Sequence, residues 1–193
     1  DFDKAISMDP KNYDRLIEIY EALADYGYRE VGQEYLQNVL NTDKKLDTYD
    51  SGRIYYYLGD YQKAYLALEE AKGKGGVDSY LYLGKAYAAT GDYNYASSVY
   101  SNYLSKQGPD AEIYNQLGLC ELAKKDYQKA LEAFQAGKQI EGNSLMQTLS
   151  FNEIVAYEYL QDYQKAAVLL KAYLQNYPDD QTAIREQQFL STR

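Results

Sequence analysis

The chain contains no histidine and no tryptophan, one cysteine and three prolines. Without histidine, no Ser–His or Cys–His nucleophile pair can form within it. Any metal site would rest on carboxylates alone, and no calcium-loop spacing is present. Cys120 cannot form an internal disulfide. It lies among Leu117, Leu119 and Leu122 in a packed helix, which reads as a buried structural thiol. No stretch approaches the roughly 18–20 apolar residues of a membrane span. Cations are also in deficit: the net charge is −9 and the pI about 4.6. That argues against nucleic acid and against an anionic membrane surface as partners. The glycine-rich run Lys72-Gly73-Lys74-Gly75-Gly76 lacks the strand before it and the Lys-Ser/Thr after it that a phosphate loop needs, so it reads as a turn between repeats. The expectation is a chain without catalytic residues, cofactor or metal. There is no starting Met and no signal pattern at the N-terminus, so the segment is expected to belong to a longer chain.

What is abundant is tyrosine, with 25 copies against 4 of phenylalanine. Several fall in a repeated pentapeptide: DYQKA occupies 60–64, 126–130 and 162–166, and DYNYA occupies 92–96. The closing small residues, Ala64, Ala96, Ala130 and Ala166, are spaced by 32, 34 and 36, and Gly32 extends the series backwards. Such a period with helical composition signals an α-solenoid. Within one unit, Tyr80, Leu83, Gly84 and Tyr87 mark one helical face. Gly91 suits the left-handed close of that helix, and Asp92 the N-cap of the next, which carries Ala96, Tyr100 and Tyr103 on one face. The pentapeptide is therefore the start of each second helix of an αα-hairpin. Its Asp caps, its Tyr packs on the hairpin, its Ala permits close backbone approach, and Gln and Lys face solvent. Tyr55, Tyr61, Tyr80, Tyr87, Tyr93, Tyr100, Tyr114, Tyr127, Tyr157 and Tyr163 are assigned to hairpin core.

The pattern resembles the tetratricopeptide repeat (TPR). That family's aromatic, Leu-Gly, later small residue, aromatic and small residue stand here as Tyr114, Leu117-Gly118, Ala130, Phe134 and Gly137. The unit at 45–76 keeps Gly52, Tyr55, Ala64, Leu68 and Ala71, and the last keeps Tyr157, Ala166, Leu170, Tyr173 and Pro178. The unit at 13–44 is degenerate, with Leu16, Ile19, Leu23, Gly32 and Leu36. The resemblance implies one all-α domain, a right-handed TPR superhelix of about five helix-turn-helix hairpins. Its repeats would occupy 13–44, 45–76, 77–110, 111–146 and 147–179. A truncated repeat would occupy 1–11, implying more repeats before residue 1, and a capping helix with Ile184 as its apolar residue would occupy 180–191. Two departures stand out. Lys125 and Gln161 replace the turn glycine, at a cost of about 1 kcal/mol each if held left-handed, and Glu153-Ile154 replaces Leu-Gly.

In TPR proteins the first helices line a concave groove that often binds peptides. Offsets from the motif residues place Tyr49, Arg53, Tyr56 and Tyr57 on that face, then Leu81, Lys85 and Ala89, then Asn115, Leu119 and Leu122, then Phe151, Val155, Glu158 and Tyr159. Arg53 and Lys85 are adjacent cations flanked by tyrosines and would attract acidic groups. Leu119, Leu122, Phe151 and Val155 are apolar where the motif does not demand it, so they belong either to an interaction surface or to the packing between first helices. On the first reading, an Arg53→Glu/Tyr57→Ala variant should fold and lose partner binding. The Lys–Asn clamp with which some TPR proteins hold acidic chaperone tails is not reproduced, because Tyr49 and Arg53, or Leu81 and Lys85, stand in its place.

The expected function is a non-catalytic scaffold for a protein or peptide ligand, with no nucleic acid and no direct membrane insertion by this segment. The competing readings are self-association as a homo-oligomer through tyrosine-rich faces and binding of cell-envelope glycans by stacking on tyrosine. The short, acidic, tyrosine-rich units resemble TPR segments of bacterial envelope lipoproteins. That likeness implies an extracytoplasmic location, tethered through an upstream signal that is not in this chain; without such a signal the location would be cytoplasmic.

Overall fold

Each repeated pentapeptide does start a helix. The side chains of Asp60, Asp92, Asp126 and Asp162 accept the backbone N–H three residues on, at 3.2, 3.0, 3.3 and 3.0 Å. This satisfies a donor that helix geometry leaves free. The computed structural model describes residues 2–71 and 73–193. Asp1 of the leading half-repeat and Lys72 of the glycine-rich run lie outside the described residues. Twelve helices are present among them, and they fall into two compact units, one ending at Thr90 and the other Gly91–Arg193.

The first unit holds α1 (Phe2–Met8), α2 (Tyr13–Asp25), α3 (Arg29–Thr42), α4 (Thr48–Tyr57), α5 (Tyr61–Glu70) and α6 (Val77–Ala89). α2–α3 and α4–α5 are antiparallel hairpins, α5 packs on α6, and the first helices α2, α4 and α6 are neighbours. Leu16, Tyr20, Leu36, Val39 and Ile54 form a common core. The second unit holds α7 (Tyr93–Gln107), α8 (Ala111–Ala123), α9 (Tyr127–Lys138), α10 (Met146–Tyr159), α11 (Tyr163–Asn176) and α12 (Gln181–Leu190). α8–α9 and α10–α11 are its hairpins. One core cluster joins Ala130, Leu131, Phe134, Leu149 and Ala156, and another joins Ile154, Ala166, Leu170, Tyr173, Ala183 and Leu190.

The four alanines of the pentapeptides are fully buried, as close backbone approach requires. Gln62, Gln128 and Gln164 are not buried. The lysines are exposed, but Lys63 and Lys129 fold back onto their capping aspartates at 2.6 and 2.7 Å. Such exposed pairs contribute little to stability. The tyrosine assignment needs correction. Of the ten placed in hairpin core only Tyr100 is buried, the others being half-buried, whereas Tyr20 and Tyr173 are buried. A tyrosine keeps its hydroxyl near water or a polar partner, so its ring covers a core edge more often than it fills a centre. In α12 the anchors are Ala183 and Leu190, with Ile184 only half-buried.

The turns between paired helices share one geometry. In α8–α9 the Lys125 N–H donates to the Leu122 carbonyl and the Asp126 N–H to the Glu121 carbonyl, both at 2.9 Å. Gln161 and Asp162 repeat this on Glu158 and Tyr157, and Gly59 and Asp60 on Tyr56 and Tyr55. This double closure needs a left-handed residue. Gly59 supplies it at φ 80°, but Lys125 and Gln161 hold φ 64° and 63° with a Cβ in the way. Lys125→Gly and Gln161→Gly should therefore each raise stability by up to about 1 kcal/mol, the relieved strain exceeding the entropy glycine gains when unfolded. Thermal melts by circular dichroism check this; lowered melting temperatures would show that the turns are not strained.

Candidate functional site

The first helices α2, α4 and α6 bring one polar and aromatic face together in the first unit. Arg53 stands at its centre, only 6% exposed. Its guanidinium bonds Asp14 of α2 and Asp50 of α4, each at 2.5 Å, and lies 4.5 Å over the Tyr49 ring. Burial would lower its pKa, but the two carboxylates more than offset this and hold it firmly charged. Asp50 moves upward, first because burial disfavours its charge; Arg53 opposes this, and the nearby Asp47 and Asp14 charges add to the rise. The two shifts differ because Arg53 has two carboxylate partners while Asp50 shares one guanidinium. Tyr49 is half-buried and packs closely on Gly75, where an added Cβ would come within 2.5 Å of its ring. Burial pushes its hydroxyl up to about 12. Arg53 and Tyr49 thus form an internal clasp, and Arg53 is not the open cation that the offsets predicted.

Beside the clasp lies a tyrosine cluster. Tyr57 meets Tyr20, Tyr56 and Tyr82 at centroid distances of 5.3, 5.5 and 5.9 Å, and Tyr56 meets Tyr82 and Tyr61 at 5.7 Å. Most of these contacts are edge-to-face, the geometry aromatic quadrupoles favour. The Tyr57 hydroxyl donates to Glu21 of α2 at 2.5 Å and lies 3.1 Å from the Tyr82 hydroxyl. Burial and then the Glu21 bond raise its pKa, and burial raises those of Tyr56 and Tyr82. All three remain neutral phenols at physiological pH.

The predicted groove residues therefore divide. Tyr56 and Tyr57 sit together in the cluster, half-buried. Leu81 is buried, and Lys85 of the same helix is half-buried. In the second unit Asn115 is buried and accepts from the Asn152 amide at 2.9 Å. Leu122 packs on the Phe134 cluster, Phe151 packs 5.6 Å from Tyr173, and Val155 is half-buried. Leu119 and Tyr159 are exposed, and Tyr159 stacks on Tyr127 at 4.9 Å. The offsets missed Tyr20, Tyr82, Asp14, Glu21 and Asp50. The same spacing of 32 that relates Arg53 to Lys85 carries back to Glu21, so the signal was present in the degenerate first repeat. A larger cleft of about 740 Å³, lined by Glu30, Gln33, Glu34, Gln37, Asp60 and Lys63 among others, contains none of the predicted residues. Leu40, Tyr55 and Leu58 supply its apolar side, and the rest of its lining is polar or charged side chains.

Glu158 behaves differently from a groove contact. It is half-buried, its Oε1 has no hydrogen-bond partner among the described residues, and its carboxyl is pushed up to about 7, first by burial and then by Glu186 of α12. An acid whose folded pKa exceeds its unfolded value binds more protons folded than unfolded between those values. Stability therefore falls as pH rises from about 4.5 to about 7 and is level beyond. Glu158→Gln should flatten that dependence and add about 1 kcal/mol above pH 7, allowing for screening. Melts between pH 4 and 8 check this; an unchanged slope would show that Glu158 is not its source.

No helix of the described residues is long and apolar enough to cross a membrane. Tetratricopeptide repeat models match residues 81–144 and 151–180. No curated protein matches the chain. Among solved structures it is similar to YrrB, a TPR protein with an unusual peptide-binding site, at 21% identity over 97% of each chain and a TM-score of 0.63. It is also similar to TTC0263, a thermophilic TPR protein of Thermus thermophilus, at 15% identity over 94% of this chain and 100% of that one, with a TM-score of 0.70. The second TPR domain of human RPAP3, solved with an HSP70 peptide, matches at 16% identity over 57% of this chain and 90% of that one, with a TM-score of 0.51. At these identities the likeness is one of fold.

Proposed function

We propose that the chain, a tetratricopeptide-repeat protein, is a non-catalytic scaffold that binds a segment of a partner protein on the face formed by α2, α4 and α6. The carrying observation is the contact of Tyr56, Tyr57 and Tyr82 across α4 and α6, only half-buried by the chain's own packing. Tyrosines fixed by each other offer large contact area at little entropic cost, which is how binding surfaces anchor a ligand. The peptide-binding site named for YrrB and the peptide bound to the RPAP3 domain support the reading that repeats of this type accept peptides. The second unit offers exposed apolar contact of its own at Leu119 and Tyr159.

Selection from a displayed random-peptide library tests this, with Tyr82→Ala as the comparison. The reading expects peptides that bind the parent and bind the variant at least about tenfold more weakly, a loss typical of an interface anchor. Peptides indifferent to Tyr82→Ala, or no enrichment at all, would contradict it. A mass that doubles with concentration in light scattering would then favour self-association.

A further inference from the structure

We propose that the bound segment is cationic, and that the α2–α4–α6 face takes a Lys or Arg side chain of the partner against the Tyr57 and Tyr82 rings between Glu21 and Asp78. This rests on the peptide-binding reading above and names the class of its ligand.

The face already shows how it holds a guanidinium. Arg53 is bound by one tyrosine ring beneath it and by two carboxylates, Asp14 from α2 and Asp50 from α4. Ring and carboxylates together are what recognises such a cation. The neighbouring part of the face repeats these components. Tyr57 and Tyr82 supply rings from α4 and α6, Glu21 supplies a carboxylate from α2, and Asp78 supplies one from α6, a single turn before Tyr82. Glu21 and Asp78 are exposed, so a partner can reach them. Glu21 uses one oxygen on the Tyr57 hydroxyl, and a carboxylate has acceptor capacity beyond a single bond.

Charge points the same way. Across the face, Asp14, Glu21, Asp50 and Asp78 stand against Arg53 and Lys85, in a chain of net charge −9. Arg53 is enclosed by its two carboxylates, so it cannot serve an acidic ligand without breaking both bonds. An acidic peptide would meet unfavourable potential, and a basic one would be steered in.

The test uses the full chain and matched synthetic Gly/Ser peptides carrying arginine, glutamine or glutamate at the same positions, with affinity read by fluorescence anisotropy. Glu21→Gln/Asp78→Asn removes the proposed carboxylates. Glu30→Gln/Glu34→Gln on α3 removes the same charge away from the face. The proposal expects the arginine peptide to bind about tenfold or more tightly than the glutamine peptide, the glutamate peptide not to bind, and about a tenfold loss in the first variant only. Equal loss in both variants would reduce the attraction to bulk charge and overturn the proposal. Binding of the glutamate or glutamine peptide as tightly as the arginine peptide would also overturn it. If library peptides that depend on Tyr82 lack positive charge, the cationic class falls while peptide binding stands. If no peptide of either kind depends on the face, both fall.

Discussion

Arg53→Glu will destabilise the first unit by about 3 kcal/mol, at the lower end of the cost of breaking a buried ion pair. Arg53 is 6% exposed, and the substitution sets a third carboxylate beside Asp14 and Asp50. Asp14 is largely exposed and can turn into water, which limits the penalty; the Asp50 side chain, 18% exposed, cannot relax so freely. The guanidinium also covers the Tyr49 ring, so packing is lost along with charge. At this chain length the change corresponds to a fall of about 6–12 °C in melting temperature. The double variant expected from sequence to fold normally would therefore confuse binding with unfolding. Arg53→Met/Asp50→Asn, which removes a charge from each side, should recover most of the loss. A melt of Arg53→Glu that matches the parent would show that the triad does not hold α2 to α4.

Phe134→Ala will cost the second unit about 3–5 kcal/mol, the usual penalty for emptying a fully buried aromatic site. The ring fills the space that Gly118 leaves open on α8. A Cβ built on Gly118 would lie 2.3 Å from Phe134 Cε1 and 2.7 Å from two other ring atoms. Gly118→Ala should therefore cost about 1–3 kcal/mol through overpacking, because a ring enclosed between α8 and α9 has little room to withdraw. The two changes are coupled, since the added methyl enters the space the lost ring vacates. Gly118→Ala/Phe134→Leu should be more stable than the sum of its single variants by at least about 0.5 kcal/mol. Strict additivity in denaturant titrations would mean that the glycine and the ring do not share this space.

These effects show which features are legible in sequence. Ala64, Ala96, Ala130 and Ala166 announce the hairpins because a buried small residue, an aspartate cap and a left-handed turn are local requirements, repeated at each unit. Lys125 and Gln161 could be named as strained from sequence for the same reason. The face of α2, α4 and α6 was harder to read. An offset assigns Arg53 to a helix face, but its ion pair with Asp14 is made 39 residues away, on a repeat whose motif has decayed. Asp50, three residues before Arg53 on the same helix, was readable as an i,i+3 partner. Tyr82 stands one position after Leu81, and its contact with Tyr57 depends on how closely α6 packs on α4. Periodicity locates hairpins; the spacing between neighbouring first helices, which sets exposure, is a tertiary quantity.

The most direct measurement is a map of backbone-amide shift changes by NMR as the arginine-bearing peptide is added to the labelled chain. The account predicts changes concentrated at Glu21, Tyr57, Asp78 and Tyr82, growing with peptide and fading as salt is raised. Changes centred instead on Glu30, Glu34 and Lys63 of the cleft lined by α3 and α5, or no changes at all, would contradict it.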